Sequence, residues 1–335
     1  MIDLRVVARV HAYPPQHNAG AEWMLHEMLR SLVARGHSCE VWLSQWTGET
    51  EARDVDGVHV VPAGLGEWQP AVAAASVVVS HLECVPETAS LARGYGVPMV
   101  VLCHNTFDLT WKPIMEGTTA LAVVNSQWMR EAAGRAFDQQ QGHVPQRMLV
   151  VRPPVHPGDY QTRPGDCITL INCTLSKGAG VLAAVAERMP DRKFLAVRGG
   201  YGEQQPPDLP NVLVLDHMDG HRMRDEVYAR TRILLMPSDY ESWGRAGVEA
   251  MASGIPVIAH PTDGLVESLG PAGTFADRGD VDAWQHAIEA LDETAAYRAA
   301  SRKARARSRA LDPTDDLAAW CDAVEEVARA RTAPR

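Results

Sequence analysis

Short apolar runs recur along the whole chain, each of a length that suits a buried strand. They occupy residues 4–10, 76–80, 98–103, 120–124, 168–171, 193–197, 233–236 and 256–259, with further strand candidates at 40–43, 58–61, 148–151 and 212–215. Between several of them lie stretches with helical spacing. The clearest covers 21–34, where Met24, Leu25, Met28, Leu29 and Leu32 mark one face before a stop at Gly36. Strands that are apolar on both faces and alternate with helices predict parallel sheets covered on both sides.

A chain of 335 residues is too long for one ordinary core, and 46% apolar residues can fill two. The division is expected where proline is densest. Arg152-Pro153-Pro154-Val155-His156-Pro157-Gly158, followed by Pro164-Gly165, continues neither a helix nor a sheet. No stretch approaches the ~20 apolar residues that span a bilayer. No charged-then-apolar leader opens the chain, so a cytoplasmic location is expected. The six cysteines form no Cys-x-x-Cys pair and read as reduced, buried small residues. A net charge of −10 argues against nucleic acid as a partner.

The chemistry concentrates at Glu241-Ser242-Trp243-Gly244-Arg245-Ala246-Gly247-Val248-Glu249. The apolar run 233–236 precedes it, and a small-residue stretch ending at Gly254 and a second run at 256–259 follow. This reads as strand, loop, short helix and strand, with Glu241 in the loop and Glu249 about one turn beyond Arg245. A helix N-terminus flanked by two acids suits a ligand that has hydroxyls to hold and a phosphate to neutralise.

That stretch resembles the acidic signature of the retaining glycosyltransferases of family 4, with Trp243 where phenylalanine is commoner. The resemblance runs from Pro14 to about Asp280. It implies an α/β chain of the GT-B fold, two Rossmann-like domains whose parallel sheets face each other across a cleft. The expected division is an acceptor domain at 1–152, a nucleotide-sugar domain at 153–311 and a last helix within 312–335 crossing back to the first domain.

The resemblance also implies roles for individual residues. Near the N-terminus Ala19-Gly20-Ala21-Glu22 stands where the family usually shows Gly-Gly-Ala-Glu, and Gly20 would let a phosphate approach the helix start. Asn172-Cys173-Thr174-Leu175-Ser176-Lys177-Gly178 matches the strand-to-helix segment whose lysine holds the donor diphosphate. Many relatives carry an arginine where this chain has Asn172, so Arg198 and Arg245 are the candidates to complete the cationic clamp. His104, after a strand end, matches the histidine that faces the donor sugar, with His81 a weaker candidate. Ser126 matches a helix-capping serine, Gly264-Leu265-Val266-Glu267 resembles a family turn, and Trp23, Trp111 and Trp128 lie near the segments where an acceptor would bind. The basic run 302–309 reads as a solvated helix face ahead of a lipid-contacting one.

The activity implied is transfer of a sugar from a nucleoside-diphosphate sugar to an acceptor (small molecule, glycan or lipid) with retention. His104, Lys177 and Glu241 would carry it. Gly20, Arg198, Arg245, Glu249 and the backbone of Ser242, Trp243 and Gly244 would hold the donor, Glu249 at the ribose hydroxyls. No cofactor and no metal are expected. Two other readings stay open: a different GT-B activity such as a nucleotide-sugar epimerase, and a non-catalytic nucleotide-sugar-binding protein.

Overall fold

The computed structural model describes residues 3–332 apart from 16, 47, 141–143 and 146; Gln16 of the N-terminal motif therefore lies outside the described residues. The chain divides into two compact units. The first comprises residues 1–14, 21–154 and 314–335, and the second residues 15–20 and 155–313. The boundary thus falls between Pro154 and Val155, inside the proline-rich stretch. Residues 15–20 cluster with the second unit, which differs from the expected 1–152 division.

The first unit is built on an eight-stranded sheet, β1 (Arg5–Val10), β2 (Ser38–Leu43), β3 (Arg53–Val55), β4 (Val58–Val61), β5 (Val77–His81), β6 (Met99–Cys103), β7 (Thr119–Val124) and β8 (Arg147–Val150). The order is β3-β4-β2-β1-β5-β6-β7-β8, and β3 is the antiparallel member, paired to β4. Successive side chains of a strand point to opposite faces, and both faces are buried here. Val100 and Leu102 of β6 pack with Leu121 and Val123 of β7 on one side, while Val101 and Cys103 pack with Ala122 and Val124 on the other. That double burial is why the strands read as unbroken apolar runs. The helix Gly20–Ala34 seals the first of these faces through Met24, Leu25, Met28, Leu29 and Leu32. The last helix, Thr314–Thr332, joins the same core. Its Trp320 is fully buried and donates from Nε1 to the Met28 carbonyl at 2.9 Å.

The second unit carries a six-stranded sheet, β9 (Cys167–Ile171), β10 (Phe194–Val197), β11 (Val212–Leu215), β12 (Thr231–Met236), β13 (Val257–Ala259) and β14 (Gly273–Phe275). Its order is β11-β10-β9-β12-β13-β14 and every pairing is parallel. The basic run is not a purely solvated face. From the helix Thr294–Ala310, Arg305 donates to the Ser253 carbonyl and Arg307 to those of Glu267 and Ser268. Both arginines satisfy carbonyls that the ends of the helices Arg245–Ala252 and Asp263–Leu269 leave unpaired, where a cation also meets the negative pole of the dipole. No helix among the described residues is long and apolar enough to cross a membrane.

All six cysteines are free and buried. Burial pushes the thiol of Cys39 up to about 12 and that of Cys173 to about 11, so both stay protonated at neutral pH. Since the thiolate is the reactive form, a native-state thiol titration at pH 8 should label fewer than ~1 group per chain. All six should react once denaturant is added. Rapid labelling of several native thiols would contradict this packing.

Candidate functional site

The order of the second sheet reverses between β9 and β12. Open parallel sheets take ligands beyond the carboxyl ends of their strands at such a reversal. The turn after β9 carries Lys177 and the turn after β12 carries Glu241, and the two side chains meet. Lys177 Nζ donates to Glu241 Oε1 at 2.6 Å, and Ser238 Oγ donates to the same oxygen at 2.9 Å. Their side chains are only 19% and 17% exposed. Burial pulls the lysine pKa down, but the Glu241 carboxylate together with Tyr201 and Asp239 outweighs it, and the net displacement is upward. Lys177 is therefore a fixed cation across the neutral range. Gly178 makes the approach possible. It sits at φ +101°, and a Cβ there would lie 2.1 Å from Pro237 Cγ.

Arg245 and Glu249 stand one turn apart on the helix Arg245–Ala252, and both are buried. Arg245 Nε donates to Glu249 Oε1 at 2.7 Å, and Tyr228 Oη donates to Oε2 at 2.6 Å. Arg245 Nη2 also donates to Tyr160 Oη at 2.9 Å. Arg245, a phosphate-cation candidate from the sequence, is thus engaged by Glu249 and Tyr160. Its guanidinium turns inward because a buried carboxylate on the same helix face requires a counter-charge. Each Glu249 oxygen has lone-pair capacity for one more donor. Gly244 begins this helix at φ +82°, and a Cβ there would come within 2.4 Å of Leu265 Cδ2. The Trp243 side chain is core, packed in the same apolar cluster as Val248 and Leu265. Any ligand role for Trp243 therefore falls to its backbone.

Asn172 holds its turn as an amide rather than a cation. It adopts φ +70°, and its Oδ1 accepts from the Thr174 N–H at 3.2 Å and from Gln204 Nε2 at 3.1 Å. Gln204 Oε1 in turn accepts from the N–H groups of Cys173 and Gly199 at 2.8 and 2.7 Å. Arg198 follows β10 with its side chain 39% exposed, 3.5 Å from an almost fully exposed Asp216, and is the more available of the two clamp candidates. Sequence reasoning missed Arg278, which donates to the carbonyls of Leu175 and Ser176 and lies 3.4 Å from Asp239. It braces the Lys177 turn from about a hundred positions downstream, and no local motif marks it.

In the first unit His104, just after β6, is hydrogen-bonded to His81 at the end of β5, Nε2 to Nδ1 at 2.9 Å. Burial lowers the His104 pKa to about 4, so it is a neutral hydrogen-bonding group at pH 7 and not a cation. Next to this pair lies His11, whose Nε2 is 3.0 Å from Glu22 Oε1 and whose Nδ1 is 3.4 Å from Glu83 Oε1. The hydrogen bond to Glu22 raises the His11 pKa against its burial. Gly20 opens the helix Gly20–Ala34, and a Cβ there would meet nothing within 4 Å. Ser126 caps the helix Gln127–Gln140 by accepting from the Met129 N–H at 3.3 Å. Trp111 is core, edge-on to Phe137, while Trp23 is buried edge-on to His26 and Trp128 packs partly buried on the Trp111 cluster.

Comparison with known proteins fits this arrangement. Residues 175–293 match the family described as Glycosyl transferases group 1. The D-inositol 3-phosphate glycosyltransferase of Mycobacterium sp. (strain KMS) is 30% identical over 258 residues, which is 64% of this chain and 58% of that protein. The chain therefore spans less than two thirds of the curated relatives of this kind. Among solved structures, HepE of Anabaena in complex with UDP-glucose superposes with a TM-score of 0.75 at 16% identity, over 96% of this chain and all of that one. Sucrose-phosphate synthase from Thermosynechococcus elongatus gives 0.73 at 14% identity, over 94% and 96%. Two parallel-sheet α/β units of this construction define the GT-B fold. Over residues 175–293 the chain is similar to the group 1 glycosyltransferases, and it shares the GT-B fold with these structures.

Proposed function

We propose that this protein transfers a sugar, with retention of configuration, from a nucleoside-diphosphate sugar to an acceptor hydroxyl. The observation that carries the reading is the Lys177–Glu241 pair at the strand reversal of the second sheet. It puts a fixed cation and an acceptor-only carboxylate side by side, one suited to phosphate oxygens and the other to sugar hydroxyls. Glu249, one turn into its helix, serves the ribose hydroxyls. As the bond from the sugar carbon to phosphate breaks, negative charge grows on the diphosphate, and Lys177 with nearby backbone N–H groups stabilises it. The acceptor oxygen bonds to the same face of that carbon, and its proton passes to the departing phosphate oxygen. In this reading the diphosphate needs no metal, and chelation leaves diphosphate affinity unchanged.

HepE was solved with UDP-glucose, which makes that the first donor to test. Both D-inositol 3-phosphate glycosyltransferase and sucrose-phosphate synthase are named for phosphorylated small molecules, which makes a phosphorylated polyol or sugar the first acceptor class. Calorimetric titration of Lys177→Ala is the direct test. A charge-assisted hydrogen bond is worth ~1.5–3 kcal/mol, so UDP should bind roughly tenfold to a hundredfold more weakly while uridine changes little. Equal losses for uridine and UDP would place Lys177 away from the phosphates and overturn the reading. Slow hydrolysis of UDP-glucose without acceptor separates an enzyme from a binding protein, and appearance of an epimer identifies an epimerase.

A further inference from the structure

We propose that the first unit holds a divalent first-row transition-metal ion of the zinc class on His11, Glu22 and His81. The proposal goes beyond sugar transfer and uses residues of the first unit alone.

Two independent observations lead to it. The first is placement. The first sheet reverses its order between β1 and β5, and the histidines gather at that reversal: His11 directly follows β1, His81 closes β5, and His104 follows β6. Glu22 reaches them from the first turn of the helix Gly20–Ala34. This is the position, beyond the carboxyl ends of the strands, where open parallel sheets build ligand sites.

The second is geometry. One ligand atom each from His11, Glu22 and His81 lie within 4.8 Å of one another. His11 Nε2 and Glu22 Oε1 are already 3.0 Å apart. Two ligands at ~2.0–2.1 Å from a tetrahedral ion stand about 3.3 Å from each other, so the remaining closure is of side-chain size. The outer contacts have the form that metal-binding imidazoles show. A ligating histidine usually has its other ring nitrogen held by a carboxylate or another polar group, which fixes the ring. Here His11 Nδ1 faces Glu83 Oε1 at 3.4 Å and His81 Nδ1 is hydrogen-bonded to His104 at 2.9 Å. Both rings therefore present Nε2 as the ligand nitrogen. Glu22 is 2% exposed and His81 fully buried, so the set lies out of bulk water. Two imidazoles and one carboxylate favour zinc and its first-row neighbours over magnesium or calcium, which prefer oxygen. Three protein ligands leave a fourth position for an oxygen.

The test uses the full chain, stripped with chelator, dialysed and titrated with zinc, with magnesium as the control. One zinc per chain should bind, raise the melting temperature and show nitrogen and oxygen neighbours by X-ray absorption, while magnesium should do none of these. His81→Asn should abolish stoichiometric binding. Glu83→Gln should weaken it roughly tenfold to a hundredfold, the usual loss for an outer partner. Glu83 is 58% exposed, so that variant folds normally and keeps the test decisive if His81→Asn does not. Substoichiometric zinc in the unaltered chain overturns the proposal. So does zinc held equally tightly after Glu83→Gln. UDP affinity measured on the same samples reports on the second unit, so failure of one reading is distinguishable from failure of the other.

Discussion

Glu241→Ala should reduce turnover by about two orders of magnitude or more, because loss of sugar orientation removes the near-attack geometry. Affinity for bare UDP should hold or even rise. Lys177 Nζ is 2.6 Å from Glu241 Oε1, and the carboxylate competes with phosphate for the same ammonium. Removing it frees Lys177 for the diphosphate, and Ser238 loses the acceptor it reaches at 2.9 Å. Glu241→Gln keeps the shape and part of the hydrogen bonding while lifting the charge, so its turnover should fall between wild type and alanine. Steady-state kinetics with UDP-glucose and titration with UDP give both numbers. If UDP affinity drops in parallel with turnover, Glu241 belongs to the phosphate site and its assignment to the sugar is wrong.

The two sheets were legible because their strands are buried on both faces and stand out as apolar runs. β3 and β14 were not read, for a clear reason. Arg53–Val55 and Gly273–Phe275 are three residues each, too short to show a period, and both are partly or wholly exposed. The Lys177 and Glu241 turns were legible because each is a compact motif after a strand, and the fold only had to bring β9 beside β12. What the sequence hid is everything that arrives from elsewhere in the chain. Tyr160 and Tyr228 reach Arg245 and Glu249 from separate segments, and Arg278 reaches the Lys177 turn from another loop. Arg245 illustrates the limit best. Its position in the motif invites a phosphate role, while its direction is set by Glu249 and Tyr160, contacts that no spacing rule contains. The His11–Glu22–His81 cluster escaped for the same reason, since it draws on two strand ends and a helix.

Arg245→Ala should cause a large loss of stability for a single substitution. The change leaves Glu249 buried next to Tyr228 with its 2.7 Å cationic partner gone. Removing one member of a buried pair costs ~3–5 kcal/mol, because the remaining charge stays out of water without compensation. In a unit of this size ~1 kcal/mol corresponds to roughly 2–4 °C in melting temperature, so a fall of about 6–20 °C is expected. The double variant Arg245→Leu with Glu249→Gln removes both charges while keeping similar volume and an acceptor for Tyr228, and it should recover much of that loss. A double-mutant cycle then isolates the pair from general damage to the helix. UDP binding adds a functional arm. If Glu249 serves the ribose, the double variant should be stable yet bind both uridine and UDP more weakly, since both carry the ribose. Recovery of stability together with unchanged nucleoside affinity would make the pair purely structural. A melting temperature unmoved by Arg245→Ala would mean that Glu249 does not depend on this arginine at all.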